Sequence, residues 1–154
     1  MISHQIDLAP DFKGRKITHE YEHRVGNESI VRPYPGIDVI LSTGLNGFDE
    51  RSNFIKHGGN SGYQAVHIAM HLGADTIILL GYDMHNNSGE HHWFGSHSFR
   101  KTPQDNQRYE QWRGRFKYLQ DAAIKRGQRI INCTPGSRIE CFEMMELEEC
   151  LKQI

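Results

Sequence analysis

The chain has 154 residues, with 18 Lys and Arg against 19 Asp and Glu and a pI near 6.8. That length suits one domain able to bury a core without metals or disulfides. The net charge of −1 excludes a global electrostatic match to nucleic acid or to an anionic membrane. The three cysteines, Cys133, Cys141 and Cys150, are odd in number and lack the two-residue spacing of zinc or redox pairs. They read as buried or spare thiols in a reducing compartment. The first residues, MISHQIDLAPDFKGRK, hold no continuous apolar stretch of the kind a secretory signal needs. No later stretch reaches the roughly eighteen apolar residues of a membrane span. A cytoplasmic protein is expected, with no membrane and no nucleic-acid partner.

In chain order, residues 1–57 are weakly patterned. Lys16 to Glu22 reads as a short strand, and GIDVILSTG places Ile37, Val39 and Leu41 on one face of an extended segment ended by Ser, Thr and Gly. Pro33, Pro35, Gly44, Asn46 and Gly47 punctuate the remainder as turns. The stretch from 58 to 84, GGNSGYQAVHIAMHLGADTIILLGYDM, is far more ordered. Asn60 or Ser61 can cap a helix whose apolar positions, Tyr63, Ala65, Val66, Ile68, Ala69, Met70 and Leu72, cover more than one face, and Gly73 suits its end. TIILLG reads as a fully buried strand at the centre of a parallel sheet.

Residues 81–104 are loop-like, with four histidines. Tyr109, Trp112, Phe116, Leu119 and Ala123 then recur at helical spacing, predicting an amphipathic helix from about Asp105 to Arg126, ended at Gly127. RIIN gives a short strand, CTPGS a turn, and residues 143–152 a short acidic helix. With no repeat or linker, the chain reads as a single α/β domain over 1–154. Its alternation of helix, strand, loop, helix and strand is that of a parallel sheet. Ligands of such sheets bind beyond the carboxyl ends of the strands, here the loops after Leu80 and Asn132.

Four groups of residues could carry chemistry. The run Gly58, Gly59, Asn60, Ser61, Gly62 at a helix start admits a plain capping turn or an anion site. Free backbone N–H groups and the helix dipole bind phosphate, but the spacing is neither the Walker pattern nor the dinucleotide fingerprint. Capping turns are common, which favours the first reading on sequence alone. Asp83, His85, Glu90, His91, His92 and His97 gather on one loop. They could hold a divalent metal or supply a general base, since imidazole titrates near neutrality, although no zinc spacing is present. His67 and His71 share a helical face, yet H-I-A-M-H lacks the Glu of a zinc protease, so they read as polar edge positions. The basic cluster Arg100, Lys101, Arg108, Arg113, Arg115, Lys117, Lys125 and Arg126 reads as a solvated helix face. Arg100 and Lys101 are near enough to the histidine loop to neutralise a phosphate. The acidic closing segment (Glu143, Glu146, Glu148, Glu149) offers the cluster a partner within or between subunits.

NSGYQAVHIAMHLGADTIILLGYDM, then HWFGSH, a Trp-containing helix and IINCTPGSRIECF, together resemble the domain shared by motility-accessory-factor proteins and the archaeal 6-hydroxymethylpterin diphosphokinase, common also in phage-encoded proteins. The likeness covers roughly residues 58–145. A more distant similarity is to bacterial sialyltransferases, whose T-S-G, G-I-D-F, G-H-S and C-P-N-S segments have counterparts here in the same order: Asn60-Ser61-Gly62, Gly81-Tyr82-Asp83-Met84, Gly95-Ser96-His97-Ser98 and Cys133-Thr134-Pro135-Gly136-Ser137.

The resemblance implies a Rossmann-like three-layer parallel sheet and a nucleotide or nucleotide-sugar ligand. In the sialyltransferase likeness His97 is the general base, with Ser96 inserted beside it, and His92 and Asp83 are the next candidates. Gly59, Asn60, Ser61 and Gly62 line the donor site, joined by Thr134, Gly136 and Ser137. In the diphosphokinase likeness Asp83 helps to hold magnesium on ATP. A third implication is a non-catalytic phage binding or assembly module on the same fold.

Family members carry an upstream β-α unit with a G-x-G-P-S turn, which this sequence lacks. The expectations are a truncated or split protein, a partner chain that supplies the missing half, or a scaffold without catalysis. Lacking that unit, the sheet is expected to expose an apolar edge around IILLG and DVILS, covered in a homo-oligomer or by a partner chain.

Overall fold

A computed structural model describes residues 11–21, 23–25, 28–30, 35–85 and 106–154. The strands are β1 (Ile17–Tyr21), β2 (His23–Val25), β3 (Glu28–Ile30), β4 (Asp38–Ser42), β5 (Phe54–Ile55), β6 (Thr76–Leu79), β7 (Arg129–Asn132) and β8 (Glu143–Met144). The helices are α1 (Ser61–His71), α2 (Asn106–Arg126) and α3 (Leu147–Cys150). The fold is mixed α/β with two small all-parallel sheets, ordered β1-β4-β5 and β6-β7-β8, and an antiparallel β2-β3 pair.

Helix α1 begins where its sequence allows. Asn60 is extended and its Oδ1 accepts from the Tyr63 N–H at 2.8 Å, which meets one of the donors that a helix start leaves open. Helices α1 and α2 end alike. Gly73 and Gly127 adopt φ of 82° and 68°, and the residues after them bond back to Ala69 and Ala123, the left-handed closure that glycine permits without a Cβ clash. Gln128 ties the two ends together, donating to the Met70 and Ala74 carbonyls at 3.0 and 2.9 Å.

Helix α1 packs on α2, β5 and β6, and α2 packs also on β7. Tyr63, Val66 and Met70 of α1 meet Phe116, Leu119, Ala122 and Ala123 of α2, together with Ile77, Leu79, Ile130, Ile139 and Phe142. Each fully buried large side chain in such a core contributes about 1.5–3 kcal/mol.

Several expectations need correction. Strand β4 does not bury one alternating face: Ile40, Leu41 and Ser42 are all buried while Val39 is only partly so. With β1 on one side and β5 on the other, DVILS is an interior strand rather than an exposed edge. Strand β6 is the reverse case. Only Ile77 and Leu79 of its residues are buried, Leu80 is 56% exposed, and among the described residues β6 has a strand partner on one side alone. The closing segment is not one helix over 143–152. Glu143 and Met144 pair with Ile131 and Asn132 as an edge strand, and only four residues turn into α3. His67 is not at an edge but fully buried.

Candidate functional site

In both parallel sheets the strands run toward one set of loops: residues 43–49 after β4, 56–60 after β5, 80–85 after β6 and 133–138 after β7. Hydrogen bonds join them in two groups. The His57 N–H donates to Gly44 O at 2.9 Å, the Gly58 N–H to Leu45 O at 3.0 Å, and Lys56 Nζ to Thr43 O at 3.2 Å. On the other side, the Tyr82 N–H donates to Thr134 Oγ1 at 2.9 Å, Ser137 Oγ to Tyr82 O at 2.5 Å, and the Arg138 N–H to Asp83 O at 2.9 Å. The start of α1 bridges the groups. Tyr63 Oη donates to Gly47 O at 2.8 Å, and Tyr82 Oη donates to Gly62 O at 3.1 Å. The structure thus brings Gly59 to Gly62, Asp83, and Thr134 to Ser137 to the same end of the fold. His92 and His97, with Glu90, His91, Arg100 and Lys101, lie outside the described residues.

The glycine run turns a corner, and the space its missing side chains leave is filled by this chain. A Cβ on Gly58, at φ 61°, would sit 2.2 Å from the Tyr63 ring. On Gly59 it would sit 2.9 Å from both Arg115 Nη1 and Trp112 Nε1, and on Gly62 it would sit 2.9 Å from the Tyr82 ring. Close approach of the backbone here therefore serves packing within the chain.

The end of the helix itself is open. The Tyr63 and Gln64 N–H groups bond to Asn60, whereas those of Ser61 and Gly62 have no acceptor among the described residues. The first turn holds no acidic residue to meet the positive end of the dipole, and Asn60 Nδ2 is a buried donor without a partner.

Two cations border the glycine turn, Lys56 before it and Arg115 from α2. Lys56 Nζ donates to the Thr43 carbonyl, and Arg115 donates to Gly58 O and to Asn46 Oδ1, both at 3.0 Å. Among the described residues neither cation pairs with a carboxylate. His57 accepts the Gly59 N–H on Nδ1 at 3.2 Å, which leaves its proton on Nε2 in the neutral form. Burial, then the nearby charges of His19 and Arg115, lower its pKa.

The other expected residues are more committed. Thr134 is 3% exposed, with its N–H on Asn132 Oδ1 and its hydroxyl facing Leu79 O. Ser137 Oγ accepts from Asn132 Nδ2 at 2.8 Å and from the Ile139 N–H at 3.2 Å. These side chains build the loop and have little to offer a ligand. Gly136 is exposed, and its carbonyl lies 3.1 Å from His85 Nε2. Asp83 is exposed, and no group of three or more potential metal ligands forms among the described residues.

His67 is structural. Its ring stacks on Phe48 with centroids 4.2 Å apart. Nδ1 faces the Lys56 N–H at 3.4 Å, while Nε2 faces both the N–H of Asp49 at 3.3 Å and its carbonyl at 3.4 Å, so backbone groups hold the ring at both nitrogens. Burial pushes its pKa down to about 4.

The basic residues of α2 divide into two sets. Lys117 and Lys125 are exposed, as a solvated face requires, whereas Arg113 and Arg115 are half-buried and turned onto loops, Arg113 donating to Met84 O at 3.0 Å. In the acidic segment Glu143 binds Arg129 of β7, outside that cluster, through two bonds of 2.8 and 2.9 Å. Lys56, His57 and Arg115 were not singled out as a group by the sequence, because nothing local joins residues 56 and 115. No helix among the described residues is long and apolar enough to cross a membrane. No family model, no curated protein and no solved structure matches this chain.

Proposed function

We propose that this domain binds a nucleotide through its phosphates at the start of α1 and acts as a nucleotide-dependent transferase, sialyltransferase-like in layout, with a nucleotide-sugar donor. The observation that carries the proposal is the N–H pair of Ser61 and Gly62, without acceptors among the described residues, next to the glycine turn that Lys56 precedes and that Arg115 of α2 contacts. Helix dipole, unfilled donors and local positive charge all favour a multiply charged oxyanion. The two parallel sheets and the loops at their carboxyl ends fit a Rossmann-like three-layer arrangement, which we propose as the complete architecture. His97 is the proposed general base on an acceptor hydroxyl, with His92 and Asp83 next.

A diphosphokinase-like phosphotransferase is the second reading. Magnesium carried on ATP needs only one or two protein carboxylates, and Asp83 is exposed at the same end of the fold. A binding module on the same scaffold is the third. A homo-oligomer or partner chain is proposed to cover the side of β6 that has no strand partner among the described residues.

The test is a thermal-shift screen of nucleotide sugars and of ATP with and without magnesium, since a ligand of the folded state raises apparent stability. Turnover assays of His97→Ala and His92→Ala follow. A nucleotide-sugar shift with turnover lost by about 100- to 10,000-fold in His97→Ala supports the first reading. An ATP shift that needs magnesium supports the second. No shift with any nucleotide removes both.

A further inference from the structure

We infer that Arg115 is a positioning residue that holds two loops in one fixed relation: the turn at Asn46 after β4 and the glycine turn at Gly58 before α1. This rests on the anion-site reading above only where ligand affinity is concerned. Its Nη1 donates to Gly58 O and its Nε to Asn46 Oδ1, each at 3.0 Å. Two donors of one rigid, planar group fix a direction as well as a distance, which a lysine ammonium on a flexible stem cannot do. The guanidinium also abuts Gly59, where a Cβ would sit 2.9 Å from Nη1. The backbone of the glycine turn is therefore seated against α2, beside Trp112 Nε1.

The loops have bonds of their own, from the His57 and Gly58 N–H groups to Gly44 and Leu45. These align the backbones but do not anchor either loop to α2, and Arg115 supplies that anchor. The direction of the Ser61 and Gly62 N–H groups follows from the turn that precedes them. Arg115 thus sets where the open helix end points.

The experiment compares the parent chain with Arg115→Gln, Arg115→Lys and Asn46→Ala by amide hydrogen exchange over residues 44–47 and 57–62, and by titration with inorganic pyrophosphate. In the parent, the two loops are expected to be protected together. In Arg115→Gln both should lose protection together while the α2 amides around Phe116 and Leu119 keep theirs, and pyrophosphate affinity should fall by about tenfold or more. Arg115→Lys should remain loose despite its charge, and Asn46→Ala should loosen the first loop most. Restoration by lysine, or exchange that changes in neither loop or in only one with Arg115→Gln, overturns the inference. If both loops loosen but the parent binds no pyrophosphate, the bracket stands and the anion-site reading fails.

Discussion

The phenol of Tyr82 donates to the carbonyl of Gly62 at 3.1 Å, so the loop after β6 is fastened to the first turn of α1. The Tyr82 ring also packs edge-on to Phe116, with centroids 6.1 Å apart. Tyr82→Phe keeps the ring and removes the hydroxyl. The expected cost is about 1 kcal/mol, the net worth of one hydrogen bond, measured by urea unfolding against the parent.

Ser137→Ala should cost more. Ser137 Oγ is the acceptor for Asn132 Nδ2, and Asn132 is fully buried. Without that oxygen an amide donor is stranded, at about 1–3 kcal/mol beyond the bond lost by Tyr82. Equilibrium unfolding of the two variants side by side checks the order.

Two glycines should respond to alanine with opposite sign. Gly114 lies inside α2, exposed, with nothing within 4 Å of an added Cβ, so Gly114→Ala should stabilise the fold by about 0.5–1 kcal/mol. Gly58 has positive φ and a Cβ position against the Tyr63 ring. Gly58→Ala should therefore destabilise by about 2 kcal/mol or more, since left-handed strain and overpacking add. Thermal melts giving the same sign for both would contradict these assignments.

Stability should fall on mild acidification. The pKa of His67 is about 4 in the folded chain against an ordinary 6.5, so the unfolded state takes up the proton first. The stability present above pH 6.5 is lost as pH falls toward 4. Between about pH 7.5 and pH 5 this histidine accounts for roughly 2 kcal/mol. His57 and His71, also lowered mainly by burial, act in the same direction. His67→Gln should flatten the pH dependence, whatever it does to stability at neutral pH.

The elements legible in the sequence were those whose signals are local. Asn60, the apolar repeat from Tyr63 and Gly73 define α1 within a few residues, and Tyr109 to Gly127 does the same for α2. Strands β5 and β8 have two residues each, too short for any period. The exposure of Leu80 and the burial of β4 depend on which strands stand beside them, which alternation cannot encode. His67 reads as polar from its type, yet the Phe48 loop covers it.

The candidate site divides in the same way. Asn60 to Gly62 were marked by composition and caps, whereas Arg115 reaches partners 57 and 69 residues away. One local sign was present: Arg115 is beside the buried Phe116 and three residues from Trp112, on the margin of the apolar stripe of α2 rather than opposite it.

Phosphate binding at the open end of α1 carries the proposed function. Its most direct measurement is an NMR titration of the isotopically labelled chain with nucleotides and with pyrophosphate, following the backbone amides. Saturable shifts greatest at Ser61 and Gly62, with smaller ones at His57 and Gly59, are the predicted result. Amides that do not move at Ser61 and Gly62, or shifts centred on the far ends of the helices at Gly73 and Gly127, would contradict it.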